Sequence, residues 1–132
     1  MKGLDTTVLI DVLRREGALG EVVPTLDEEG VATTEVNAFE ALFGVYLDGG
    51  SHMSHRLDKT HALLQDLLVL PLQRGGAERA AQVAAELARE GRTIATGDIL
   101  TAGILLDHGV DTIVTRDVEH YRRIRGLKVE TY

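Results

Sequence analysis

With 132 residues, 44% of them apolar, the chain has the material for one domain with a real core, and no part of it has a disordered composition. The lack of cysteine excludes disulfides and thiolate metal sites, and the apolar runs are far too short to span a bilayer. A formal charge of -7 argues against a general nucleic-acid coat, which is basic, but leaves room for an enzyme that meets phosphodiesters through bound cations.

In chain order, Met1-Lys2-Gly3 runs into Leu4-Asp5 without an apolar signal-peptide core, which predicts a cytoplasmic protein. Lys2-Gly3-Leu4 reads as a short strand ending at Asp5. Thr6 or Thr7 can cap a helix with Val8, Leu9, Val12 and Leu13 at helical spacing, cations Arg14 and Arg15 in its last turn, and Gly17 as its stop. A second short helix is expected over 19–28, and Val31-Ala32-Thr33 makes a second strand. Thr34 then caps a helix from Glu35 to about Leu47, ended by Gly49-Gly50, with Val36, Phe39, Phe43, Tyr46 and Leu47 as its buried stripe. Glu40 lies within about 60° of that stripe on the helical wheel, and Glu35 borders its other edge. A loop over 49–55 leads to a helix over 54–66, with Leu57, His61 and Leu64 on one side. Residues 67–72 form a third strand, and Gly75-Gly76 precede an Ala-rich helix from Ala77 to Glu90.

The stretch Thr96–Asp117 is the most informative. Ile99, Leu100, Ala102, Ile104, Leu105 and Leu106 leave hardly any polar face, so this helix belongs in the interior. Gly109 ends it, and Thr112-Ile113-Val114-Thr115 is a buried strand. Val118–Ile124 can form a short helix and Leu127-Lys128-Val129 an edge strand. The alternation predicts a single α/β domain over 1–132, a mostly parallel central sheet flanked by helices. Sites in such sheets gather at the carboxyl ends of strands. Asp5 and Asp117 fall there, and Glu40 and Asp98 lie early in helices expected beside them.

Each acid has a plainer explanation: Asp98 and Asp117 as helix caps, Asp5 closing a turn, Glu40 paired with an arginine. Together they point further. Like charges packed into one place repel unless a divalent cation answers them, and hard oxygen donors suit Mg²⁺ or Mn²⁺ rather than Zn²⁺. Such an ion activates water and stabilises a leaving oxygen, which suits phosphodiester hydrolysis. Thr115 and Thr6 can add a hydroxyl, although capping is the simpler role for Thr6. Arg116 and the basic tail with Arg122, Arg123, Arg125 and Lys128 either hold phosphates or form a solvated stripe. His52, His55 and His61 read as surface residues, and His120 either touches substrate near Asp117 or faces solvent.

Four blocks carry a resemblance: L-D-T-T-V-L-I-D at 4–11, T-T-E-V-N-A-F-E-A-L-F-G at 33–44, D-I-L-T-A-G-I-L-L-D-H-G at 98–109 and T-I-V-T-R-D-V-E-H-Y at 112–121, with R-I-R-G-L-K-V-E at 123–130 following. In this order they resemble the PIN domain, and the length is that of VapC-type toxins. The resemblance implies that Asp5, Glu40, Asp98 and Asp117 match an acidic metal-binding quartet and that Thr115 matches a supporting hydroxyl. It further implies a Mg²⁺- or Mn²⁺-dependent endoribonuclease that is homodimeric and inhibited by a VapB-type antitoxin. Thr7 departs from the Asn or Ser common at its position, and Glu35 is a second acid near Glu40. Apolar residues of 35–66, among them Tyr46, Leu57 and Leu64, are expected to supply the dimer patch.

Competing readings are weaker. A phosphoacceptor receiver domain needs a second acid beside Asp5, where Leu4 and Thr6 stand, and a haloacid-dehalogenase phosphatase needs D-x-D where the chain has D-T-T. A catalytically silent PIN-like scaffold and a structure-specific DNA nuclease of the same superfamily are the remaining alternatives.

Overall fold

In the computed structural model, which describes residues 1–15, 19–23 and 30–132, the strands are β1 (Lys2–Leu4), β2 (Val31–Thr34), β3 (Leu68–Leu70), β4 (Thr112–Val114) and β5 (Lys128–Glu130). They form one sheet in the order β3-β2-β1-β4-β5, and every neighbouring pair is parallel. The helices are α1 (Thr6–Arg15), α2 (Leu19–Val22), α3 (Glu35–Asp48), α4 (Met53–Asp66), α5 (Arg74–Arg89), α6 (Thr96–Asp107) and α7 (Val118–Tyr121). Parallel neighbours require crossover connections, and helices supply them. The chain leaves β1 toward β2 and β3, then returns to the other side of β1 with β4. That reversal opens the crevice at the carboxyl ends of β1 and β4.

The pleat sends Leu4 and Val114 to one face, where Val8, Val12, Val22 and Val23 cover them, and Ala32 and Ile113 to the other, under Ala102, Ile104, Leu105 and Tyr121. Helix α6 is the interior element its composition predicts: Thr101–Leu105 are all buried. Gly109, at φ +76°, follows its last turn. Helix α5 lies so close to α6 that a Cβ on Gly103 would stand 2.6 Å from the Gly76 carbonyl oxygen and 2.7 Å from the Ala80 amide nitrogen.

Several boundaries differ from the sequence reading. Helix α5 starts at Arg74 and contains both glycines, because Gly76 packs against the α6 backbone rather than marking a loop. Strand β3 is shorter than 67–72, stopping before Pro71, α7 ends at Tyr121, and α4 begins already at Met53. The Gly17 stop and the stretch 24–28 of the expected second helix lie outside the described residues.

The larger correction concerns α3. Its buried face is Asn37, Ala38, Ala41 and Val45, whereas Phe39, Phe43, Tyr46 and Leu47 are 54–71% exposed. The reason is the Asn37 amide. Its Oδ1 accepts from Thr34 Oγ1 (2.8 Å) and Thr33 Oγ1 (3.4 Å), and its Nδ2 donates to Thr6 Oγ1 (3.1 Å) and Thr101 Oγ1 (3.3 Å). A polar group so fully satisfied is tolerated in the core, so the small-residue face turns inward and the aromatic face outward.

Candidate active site

Strand pairing sets the first contact. Gly3 and Leu4 lie opposite Ile113 and Val114, so the residues just past the two strands, Asp5 and Thr115, meet. Thr115 Oγ1 donates to Asp5 Oδ2 at 2.6 Å, and the Asp117 amide donates to Thr115 Oγ1 at 2.9 Å. Asp5 Oδ1 accepts from the Thr7 amide at 3.0 Å and from the Thr7 hydroxyl. Asp5 therefore caps α1, a role the sequence assigns to Thr6 or Thr7. Thr7 in turn accepts the Arg116 amide at 3.1 Å, tying the turn before Asp117 to α1.

The Asp5 side chain is only 3% exposed. Burial pushes its pKa above the usual carboxylate value, and the charge of Asp117 adds to that, against the hydrogen bonds from Thr115 and Thr7. Thr6, freed from capping, donates its hydroxyl to Glu40 Oε1 at 2.9 Å. The other oxygen of Glu40 lies against Gly97, where a Cβ would come within 3.3 Å of Oε2. Glu40 thus rests on the backbone next to Asp98. Glu35 is exposed in the first turn of α3.

Asp98 sits inside the first turn of α6, whose N-cap is Ala95, so it is not the cap residue. Its two oxygens are held by successive residues of α7: Tyr121 Oη donates to Oδ1 at 3.0 Å, and His120 Nδ1 lies 2.7 Å from Oδ2. Tyr121 is fully buried, and burial together with the charges of Asp5, Asp98 and Glu40 drives its phenol pKa strongly upward. That single hydroxyl senses three of the four acids. Asp117 occupies the N-cap position of α7 without a side-chain capping bond, and it is exposed.

Among the described residues no three carboxylate or imidazole groups are gathered closely enough to enclose an ion in this conformation. The donor set nevertheless fits one: every donor is a hard oxygen, and carboxylate oxygens holding one or two hydrogen bonds keep further lone pairs. The basic residues behave differently from one another. Arg116 Nε bonds Asp11 Oδ2 at 3.2 Å, and Tyr132 donates its hydroxyl to the same oxygen, so Arg116 is strapped to α1. Arg122 pairs with Glu119 at 2.9 Å, and Arg123 is exposed. His52, His55 and His61 are exposed on or beside α4.

Sequence reasoning missed Tyr121 and Asn37 and left His120 undecided. The signal for Tyr121 was present but faint: an aromatic four residues past Asp117, in a segment expected to be helical.

The PIN domain family profile matches residues 3–127. The tRNA(fMet)-specific endonuclease VapC of Shigella flexneri is 27% identical over 130 residues, covering 98% of this chain and 96% of that protein. Among solved structures, VapBC2 from Rickettsia felis bound to a promoter DNA fragment superposes with a TM-score of 0.86 at 18% identity, over 99% of this chain and 98% of the other. DNA-bound VapBC from Salmonella typhimurium gives 0.85 at 22% identity, over 98% and 96%. The shared fold, the length and the match over nearly all of the sequence agree: the chain belongs to the PIN domain family.

Proposed function

We propose that the chain is a VapC-type endoribonuclease, cleaving RNA phosphodiester bonds with a divalent cation, Mg²⁺ or Mn²⁺, held by Asp5, Glu40, Asp98 and Asp117. The observation that carries this reading is the hydrogen-bonded chain at the carboxyl ends of β1 and β4, where Thr115 joins Asp5 to the Asp117 amide and Thr6 holds Glu40 against Gly97, next to Asp98. The likeness to the Shigella flexneri tRNA endonuclease supports RNA as substrate and a nuclease as the class. When bound, the cation would supply charge neutralisation and an activated water. The chain's own residues do the rest. Thr115 fixes Asp5 while its oxygen receives the Asp117 amide, Thr6 steadies Glu40, and α7 steadies Asp98. Arg122 and Arg123 offer cations to RNA phosphates, and Arg116 contributes from the same edge while strapped to Asp11.

The test is cleavage of RNA with Mn²⁺ by wild type and by Asp5→Ala, Glu40→Ala, Asp98→Ala and Asp117→Ala. Each substitution is expected to cost more than the roughly hundredfold typical of losing a group behind a ligand. Wild-type rates in all four variants would refute the assignment. A catalytically silent scaffold is the competing reading, favoured by the absence, among the described residues, of three ligand groups closed around one point. Metal-dependent cleavage by wild type, lost in Asp98→Ala, rules it out.

The VapBC complexes among the structural neighbours support a VapB-type antitoxin as partner. A homodimer is supported by the exposed apolar face of α3, where Phe39 and Phe43 stack at 6.0 Å beside Tyr46 and Leu47. Leu57 and Leu64, expected in that patch, are half-buried. The reading places the protein in the cytoplasm with its RNA. Among the described residues no helix is long and apolar enough to cross a membrane.

A further inference from the structure

We propose that Tyr121 is a positioning residue for Asp98, whose phenol O–H holds one carboxylate oxygen so that the remaining lone pairs are presented to a divalent cation. The inference rests on the nuclease reading above and concerns a residue outside the acidic quartet. Its basis is geometric. The Tyr121 ring is 0% exposed and packed in the apolar cluster with Leu105, Ile113, Ile124 and Leu127, while its hydroxyl emerges at the site 3.0 Å from Asp98 Oδ1. A ring locked in a core cannot follow a mobile carboxylate, so the carboxylate must come to it. His120 holds the second oxygen at 2.7 Å, but its side chain is 49% exposed, which makes it the looser of the two partners.

The chemistry of a phenol suits this task. A phenol O–H donates a hydrogen bond to Asp98 without bringing a charge of its own. An arginine there would satisfy Asp98 with a full positive charge and repel an incoming cation. A neutral donor orients the carboxylate and leaves its charge in place, as the groups behind metal ligands do elsewhere.

The experiment is calorimetric titration of Mn²⁺ into wild type, Tyr121→Phe, Asp98→Asn and the double variant, with metal-free melting curves for each. Tyr121→Phe keeps the ring and removes one oxygen. It is expected to melt within a few degrees of wild type and to bind Mn²⁺ about 10–100-fold more weakly. In the Asp98→Asn background the same substitution is expected to cost nothing further, which a general packing defect would not reproduce. Wild-type affinity in Tyr121→Phe overturns the proposal and leaves the nuclease reading standing, as does a loss of equal size in the Asp98→Asn background. If wild type binds no Mn²⁺ at all, both readings fall together.

Discussion

Asp5 is held in place by groups that also make its charge costly. Two threonines and a backbone amide hold its oxygens, yet desolvation outweighs them and the folded protein grips a proton more tightly than the unfolded chain does. The sign follows from linkage. Above the folded-state pKa the ionised group carries a penalty, which is relieved as pH falls through that value and is gone below the ordinary 3.8. Metal-free Asp5→Asn is therefore expected to melt at or above the wild-type temperature at neutral pH, with the advantage shrinking toward about pH 4. Melting curves across that range check it, and a variant several degrees less stable at neutral pH would mean that the hydrogen bonds outweigh burial. The carboxylates themselves were legible in the sequence because strand ends and helix starts fix where they go. Tyr121 was not, since its partner lies 23 residues away and only the finished fold brings the two together.

Among the elements, the α5–α6 pair is the least forgiving. Adding one methyl at Gly103 would drive it to 2.6 Å from the Gly76 carbonyl and 2.7 Å from Ala80, atoms fixed in the facing helix. Gly103→Ala is expected to cost about 1–3 kcal/mol, the usual range for overpacking a core. Gly75→Ala makes a sharper nominal clash, 2.3 Å from Asp107 Oδ1, but that carboxylate is exposed and free to swing. Denaturant titration of the two variants should separate them clearly. Composition revealed α6 as an interior helix, because almost any rotation of it buries apolar groups. The same logic failed for α3. There, hydrophobicity favours turning Phe39 and Phe43 inward, and the choice is decided instead by the hydrogen-bonding needs of Asn37, which reaches Thr101 across 64 residues. Periodicity weighs apolar area and has no means of seeing a buried amide find four partners.

For the whole molecule, the formal charge of -7 and the proposed acidic quartet lead to the expectation that a divalent ion stabilises the fold as well as serving the proposed reaction. At a hundred times its dissociation constant a native-state ligand contributes about 2.7 kcal/mol, and in a domain of this size that is a rise of roughly 10 °C in melting temperature. Thermal melts with and without Mn²⁺ check this, with Asp98→Ala expected to lose the shift. The exposed α3 face leads to an independent expectation, a dimer at micromolar concentration that Phe43→Asp converts to monomer in a sedimentation experiment.

The bond between Thr115 and Asp5 spans 110 residues. On a ribosome, Asp5 waits for 110 further residues to be synthesised before Thr115, just past β4, can dock beside it. A product truncated before Thr115 and Asp117 has no competent centre to assemble, and pairing over so long a contour is intrinsically slow. On the proposed reading, a nascent chain cannot cut RNA until the stretch carrying Thr115 and Asp117 has been made and has docked beside Asp5.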